Sequence, residues 1–115
     1  MAVTEFRESP PVRRWLDRAG YGDRPTAEQD RLLDDLAGFC EYTGRTPEEL
    51  VASCLRQTDA GTAISTKGRR RMQETIESYV ADRGLAGREA IIVGNRIRGF
   101  LVHNGVFIQG RAATS

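Results

Sequence analysis

The sequence has few of the residues that build metal centres and disulfide frameworks. It contains one histidine and two cysteines in 115 residues. Cys40 and Cys54 form no CxxC pair and have no histidine near them. A structural zinc site takes four such ligands, so we predict no metal site. Each cysteine falls in a predicted apolar helix stripe, which favours two small buried hydrophobic side chains.

Long apolar runs are also lacking. No stretch approaches the 18 or so apolar residues that cross a bilayer. Residues 1–10 lack the basic start and apolar segment of a secretory signal, so we expect a cytoplasmic protein with no membrane partner. A chain with 39% hydrophobic residues and a net charge of only +1 is not typical of disorder. Its length fits one domain.

The sequence offers no catalytic set. No serine or cysteine is tied by spacing to a histidine base. His103, the only imidazole, falls near a predicted helix C-terminus, where a capping or solvent-facing role is favoured over a catalytic one. Asp34 and Asp35 are neighbours in sequence and share no helix face. No glycine-rich phosphate loop follows a strand, so we predict no cofactor and no catalytic residue.

What the sequence does have is helical periodicity almost throughout, with few strand signals. Thr26 and Gln29 fit a capping box, as do Thr46 and Glu49. Ser65 or Thr66 is the expected cap of a third long stretch. The predicted helices cover 12–19, 27–43, 47–58, 66–83 and about 87–103, with a loop at 59–62. We predict an all-α fold.

Three segments follow from this pattern. Residues 1–25 form an N-terminal lead with the short helix, in which Trp15 is expected to anchor onto the bundle. Residues 26–108 form the helical bundle, and residues 109–115 are a frayed tail. Val106, Phe107 and Ile108 make a short apolar stretch that needs a partner surface.

Charge is distributed unevenly along the chain. Residues 1–59 sum to −4 and residues 60–115 to +5, and 16 of the 17 basic residues are arginine. Arginine presents a planar fork suited to phosphates and base edges. The asymmetry therefore indicates a face for nucleic acid or for an acidic protein.

Two basic sets carry this indication. The first lies at the start of a predicted helix, where backbone N–H groups also favour anions; the alternative is an ordinary solvated turn paired with Glu74 and Glu77. The second combines arginine with asparagine, the side chains that read guanine and adenine edges. The candidate DNA-binding residues are Lys67, Arg69, Arg70 and Arg71, then Arg88, Asn95, Arg96 and Arg98.

The segment FCEYTGRTPEEL at 39–50 resembles the end of one bundle helix and the start of the next in phage-type integrases. IESYV at 76–80, followed by RGL at 83–85, resembles the family's third helix and its turn. RIRGFL at 96–101 with Asn104-Gly105 resembles the last helix. The family segment is the N-terminal core-binding domain of tyrosine recombinases, and the resemblance covers roughly residues 26–108.

The resemblance implies a SAM-like four-helix orthogonal bundle, here with a short extra N-terminal helix, that binds duplex DNA beside a catalytic domain. The family's catalytic set is not identifiable in this sequence, so Tyr21, Tyr42 and Tyr79 are not expected to be nucleophiles. The function expected is therefore that of a DNA-binding domain of a site-specific recombinase that is not itself an enzyme. The alternative is a protein-interaction module, in which the acidic first half and residues 106–108 dock another subunit or a neighbouring protomer.

Overall fold

The computed structural model describes Phe6 and residues 8–20 and 27–108. This part of the chain is mostly helical, as the periodicity predicts. None of its helices is long and apolar enough to cross a bilayer. Residues 1–5, 7 and 21–26, which include the predicted cap at Thr26, and the 109–115 tail lie outside the described residues. The elements in order are α1 Pro10–Arg18, α2 Ala27–Thr43, α3 Pro47–Ala52, β1 Leu55–Thr58, β2 Gly61–Ile64, α4 Thr66–Asp82 and α5 Gly87–His103.

Side-chain caps set the starts of two helices where the sequence predicts them. At α3, the Glu49 N–H donates to the Thr46 hydroxyl (3.1 Å) and the Thr46 N–H donates to the Glu49 carboxylate (2.9 Å). At α4, the Gly68 N–H donates to the Ser65 hydroxyl (3.0 Å). Such caps satisfy N–H groups that have no partner inside the helix. The predicted capping box of α3 and the cap at Ser65 are confirmed.

The helix predicted over residues 47–58 does not reach Thr58, so that prediction is wrong. The predicted all-α class is also corrected, because the structure contains one β-hairpin. α3 ends at Ala52, and residues 55–64 form two antiparallel strands joined through Asp59 and Ala60. Gly61 closes the turn with a φ of +120°, a conformation that favours glycine. The Ser65 N–H donates to the Cys54 carbonyl at 2.8 Å. The hairpin therefore returns the chain to the end of α3 and starts α4 there.

The core lies between α2, α4 and α5, with α1 packed on α5. Phe39 of α2 meets Tyr79 of α4 edge-on, with ring centroids 5.4 Å apart. Trp15 of α1 meets Phe100 of α5 in the same way at 5.5 Å. Such edge-to-face pairs are favourable beyond the area that they bury. The expected anchoring of Trp15 onto the bundle is confirmed.

The apolar stretch after α5, residues 106–108, packs mostly against the protein's own core. Val106 and Ile108 are buried in the core, whereas Phe107 between them is 63% exposed. The Phe107 carbonyl accepts a hydrogen bond from Arg69 of α4 at 3.5 Å. This contact places the start of α4 beside the segment that follows α5, so the two helices run antiparallel.

Candidate nucleic-acid interface

The first two turns of α4 hold the four cations of the first predicted set. Lys67, Arg70 and Arg71 are exposed, and Arg69 is half-buried. The first turn of α4 contains no acidic residue. The positive end of a helix dipole disfavours cations, so this arrangement is electrostatically costly by itself. A bound anion would relieve that cost.

These cations are not neutralised by carboxylates. Within the described segments, no Asp or Glu oxygen lies within 4.0 Å of a charged nitrogen of Lys67, Arg70 or Arg71. Glu74, one turn further along α4, makes no such ion pair with them. The ion pair with Glu74 that the alternative of a solvated turn included is therefore not formed, and the three cations are exposed to solvent.

Two further arginines belong to this end of the molecule. Arg45 lies in the turn between α2 and α3, and Arg56 on β1 pairs in register with Ala63, three residues before α4. Both are exposed. Sequence reasoning missed them because neither lies near another basic residue in the chain. A prediction of the hairpin would have placed Arg56 beside Ala63, just before α4.

The second predicted set does not join this surface. α4 has 17 residues and is about 25 Å long at 1.5 Å per residue. Arg88 follows the short turn after α4 and is exposed at the opposite end of the α4–α5 pair. The eight candidate residues therefore do not form one continuous cationic flank.

Arg96 is neutralised by the acidic half of the chain. Its guanidinium lies 2.7 Å from the Asp35 carboxylate of α2, and Arg83 lies 3.7 Å from the other oxygen of the same carboxylate. The side chain of Asp35 is only 13% exposed, so solvent screens the pair with Arg96 less than a surface pair. Arg96, expected as a phosphate contact, is therefore already paired with a carboxylate inside the molecule.

Arg98, one of the eight candidate DNA-binding residues, is an interior residue. It is 4% exposed. Its Nε donates to the Gln73 side chain and a terminal nitrogen donates to the Asn95 side chain, each at 3.0 Å. A guanidinium bound in this way is not offered to a phosphate. Asn95 accepts this hydrogen bond through its amide oxygen, so the contact with Arg98 fixes the orientation of the side chain that was expected to read a base edge.

A cleft of about 400 Å³ opens beside the first cation set. Arg45 and Arg71 lie on its lining, one from the α2–α3 turn and one from α4. At its margin the Tyr42 hydroxyl donates to the Asp82 carboxylate at 2.6 Å, and this hydrogen bond raises the pKa of Tyr42. The lining residues are Tyr42, Thr43, Arg45, Leu50, Ser53, Gly68, Arg71, Met72 and Thr75.

Other chemistry is sparse in the described residues. Nowhere in those segments do three metal-ligating side chains come together. Cys40 and Cys54 are buried free thiols, and burial raises the pKa of each. Comparison with protein-family models, curated proteins and solved structures gave no match. The case for function therefore depends on the cation set and the cleft.

Proposed function

We propose that this chain is a DNA-binding helical domain that holds the phosphate backbone of a duplex at the start of α4. The observation that supports it is the group of exposed cations at the positive end of a helix, with no carboxylate in ion-pair contact within the described part of the chain. Lys67, Arg70 and Arg71 are its main contacts. Arg45 and Arg56 extend the surface on which the backbone would lie.

The contacts of this proposal position the duplex rather than read its sequence. Charged side chains and helix N-termini bind phosphate oxygens, which carry no sequence information of their own. Asn95, the one candidate for a base edge, is engaged by Arg98. We therefore expect binding that depends on salt and little on sequence. The proposal assigns no catalytic residue to the chain.

The architecture proposed is that of the SAM-like core-binding domain of integrases. The mostly helical fold with a short N-terminal helix is compatible with it. In such an arrangement the domain would act beside a catalytic domain and neighbouring protomers. The β-hairpin between α3 and α4 is a feature of this chain that the resemblance does not supply.

Salt dependence tests the proposal directly. Each phosphate contact contributes about 0.9 to the slope of log affinity against log salt concentration. We expect the double variant Lys67→Gln/Arg70→Gln to lower the slope by about 1.8. The measurement is fluorescence anisotropy with closed circular or end-blocked duplex DNA at several salt concentrations.

A matched control distinguishes the effect of a local binding site from the effect of the protein's net charge. Arg31→Gln/Arg88→Gln removes the same charge from two exposed positions elsewhere, on α2 and at the start of α5. We expect it to leave the slope nearly unchanged. Equal losses in the two double variants would mean that only net charge matters. If the Lys67/Arg70 variant binds DNA as tightly as the parent, the start of α4 does not contact DNA and the proposal is wrong.

Protein docking remains the second candidate, and Phe107 is the observation that favours it. Its ring is the most exposed of the large hydrophobic side chains in the described residues. Because Val106 and Ile108 are buried in the chain's own core, the surface offered is smaller than the sequence suggests. Concentration-dependent sedimentation that is lost in Phe107→Ser, without DNA binding, would support docking over the proposal.

A further inference from the structure

The cleft between α2, α3 and α4 has the size and chemistry of a small-ligand site. Its volume of about 400 Å³ falls within the usual range of roughly 300–1,000 Å³ for ligand pockets. Leu50 and Met72 give it an apolar part. Its polar part comes from two arginines and a set of hydroxyl groups, each of which restricts the kind of ligand.

The two charged side chains that line the cleft are both arginines. Arg45 and Arg71 lie on different chain segments, and neither guanidinium is within 4.0 Å of an acidic oxygen in the part of the chain that the structure describes. No aspartate or glutamate is among the described residues that line it. Two guanidiniums on one cavity repel each other, and an anion between them removes that repulsion. The planar fork of arginine suits phosphate oxygens in particular.

The hydroxyl groups of the cleft complement this charge. Thr43 donates its hydroxyl proton to the carbonyls of Phe39 and Cys40, at 3.1 and 3.2 Å. Ser53 donates to Leu50 and Thr75 donates to Arg71, each at 2.8 Å. A hydroxyl has one proton and two lone pairs, so these oxygens remain as acceptors. They fit a ligand that brings its own O–H or N–H groups beside the anion.

We propose that this cleft binds a phosphomonoester carried on a sugar, held by Arg45 and Arg71 with the hydroxyl oxygens of Thr43, Ser53 and Thr75 accepting from the sugar. The chemistry is shared by a free nucleotide and by the 5′-phosphate at the end of a nucleic-acid strand. This inference goes beyond the binding of a duplex backbone, because a free nucleotide would occupy the cleft with no duplex present.

Calorimetric titration with 5′-AMP, adenosine and inorganic phosphate tests the inference. We expect 5′-AMP to bind, inorganic phosphate to bind more weakly and adenosine not to bind. Arg45→Gln should weaken 5′-AMP binding about tenfold or more, since it removes charge-assisted hydrogen bonds. Arg45→Lys should weaken 5′-AMP binding less than Arg45→Gln does. Arg31→Gln is the matched control, an exposed arginine of α2 outside the cleft lining, and should bind 5′-AMP normally.

The source of the phosphate is resolved by short duplexes with 5′-phosphate or 5′-hydroxyl ends. Tighter binding of the phosphorylated duplex, abolished by Arg45→Gln, identifies strand ends. Binding of 5′-AMP with no preference between the duplexes identifies a free nucleotide.

The inference is overturned if 5′-AMP fails to bind, if adenosine binds equally well, or if Arg45→Gln has no effect. Binding of end-blocked duplex, measured with the Lys67/Arg70 variant, reports on the proposed function separately.

Discussion

Replacing Gly68 with alanine tests the contact that sets α4 against α3. A methyl group on Gly68 would overlap the Ser53 carbonyl oxygen, and it would lie 3.2 Å from both the Cys54 Cα and the Ser65 hydroxyl. Two of these neighbours are backbone, which cannot move aside as a side chain can. The Gly68 N–H also donates the capping hydrogen bond to the Ser65 hydroxyl. Relief of the overlap therefore requires α4 to move away from α3.

The size of the effect follows from two opposing contributions. Forcing a methyl group into a closely packed site costs about 1–3 kcal/mol. Replacing glycine within a helix gains at most about 1 kcal/mol, and less in a first turn. We expect a net loss of about 2 kcal/mol in the free energy of unfolding. With an unfolding entropy near 2.1 cal/mol/K per residue over this length, the melting temperature should fall by about 8 °C.

Gly99→Ala provides the control for the same substitution in a helix. Its added methyl group would lie 3.8 Å from the nearest heavy atom, Nε1 of Trp15, which is an ordinary van der Waals contact. Here we expect a gain of up to about 1 kcal/mol. Thermal and urea unfolding followed by circular dichroism measure both variants. A Gly68→Ala variant as stable as the parent would show that the α3–α4 contact is not close, and the cleft geometry would be wrong with it.

Four further predictions concern individual side chains. Asp35→Asn should lower the free energy of unfolding by about 1–2 kcal/mol, because its carboxylate binds two arginines. Asp17→Asn, at an exposed 3.9 Å ion pair, should change the free energy by less than about 0.5 kcal/mol in urea unfolding. The hydrogen bond to Asp82 raises the pKa of Tyr42. This hydrogen bond therefore stabilises the fold at pH values below the ordinary tyrosine pKa, and the stabilisation is lost as the pH rises through the raised pKa of Tyr42. Asp82→Asn should bring that pKa down in an absorbance titration, and an unchanged titration would refute the contact. Burial, and then Glu48, raise the pKa of Cys40 to about 12, so its thiol should react with a thiol reagent only after denaturant is added.

Local signals in the sequence predict a helix boundary where a capping side chain or a terminating glycine lies beside it. The capping box at Thr46 and Glu49, the cap at Ser65 and the left-handed Gly44 act within one turn of the helix end that they define. The hairpin was missed because Leu55 and Thr58 continue the helical spacing of Leu50 and the residues after it. What ends the helix is the pairing of residues 55–58 with 61–64, and periodicity does not report that pairing.

The positions of the candidate residues were predicted correctly only where their environment is local. Lys67 to Arg71 belong to one helix start, and the sequence places them there. The positions of Arg96 and Arg98 depend on side chains far along the chain. Arg96 meets a carboxylate 61 residues away, and Arg98 meets an amide 25 residues away. Helical periodicity assigns a residue to a face, and it does not show which partner covers that face.

The charge asymmetry of the chain acquires a different meaning in the folded molecule. The acidic first half does not simply lie apart from the basic second half, because Asp35 from α2 holds Arg83 and Arg96 from beyond residue 60. Folding therefore neutralises part of the positive charge. The cations at the start of α4 face no such carboxylate in the described segments. Charge that folding leaves uncompensated at a helix N-terminus is available to an external phosphate. The interface that we propose is therefore confined to the start of α4, a smaller region than the basic half of the sequence.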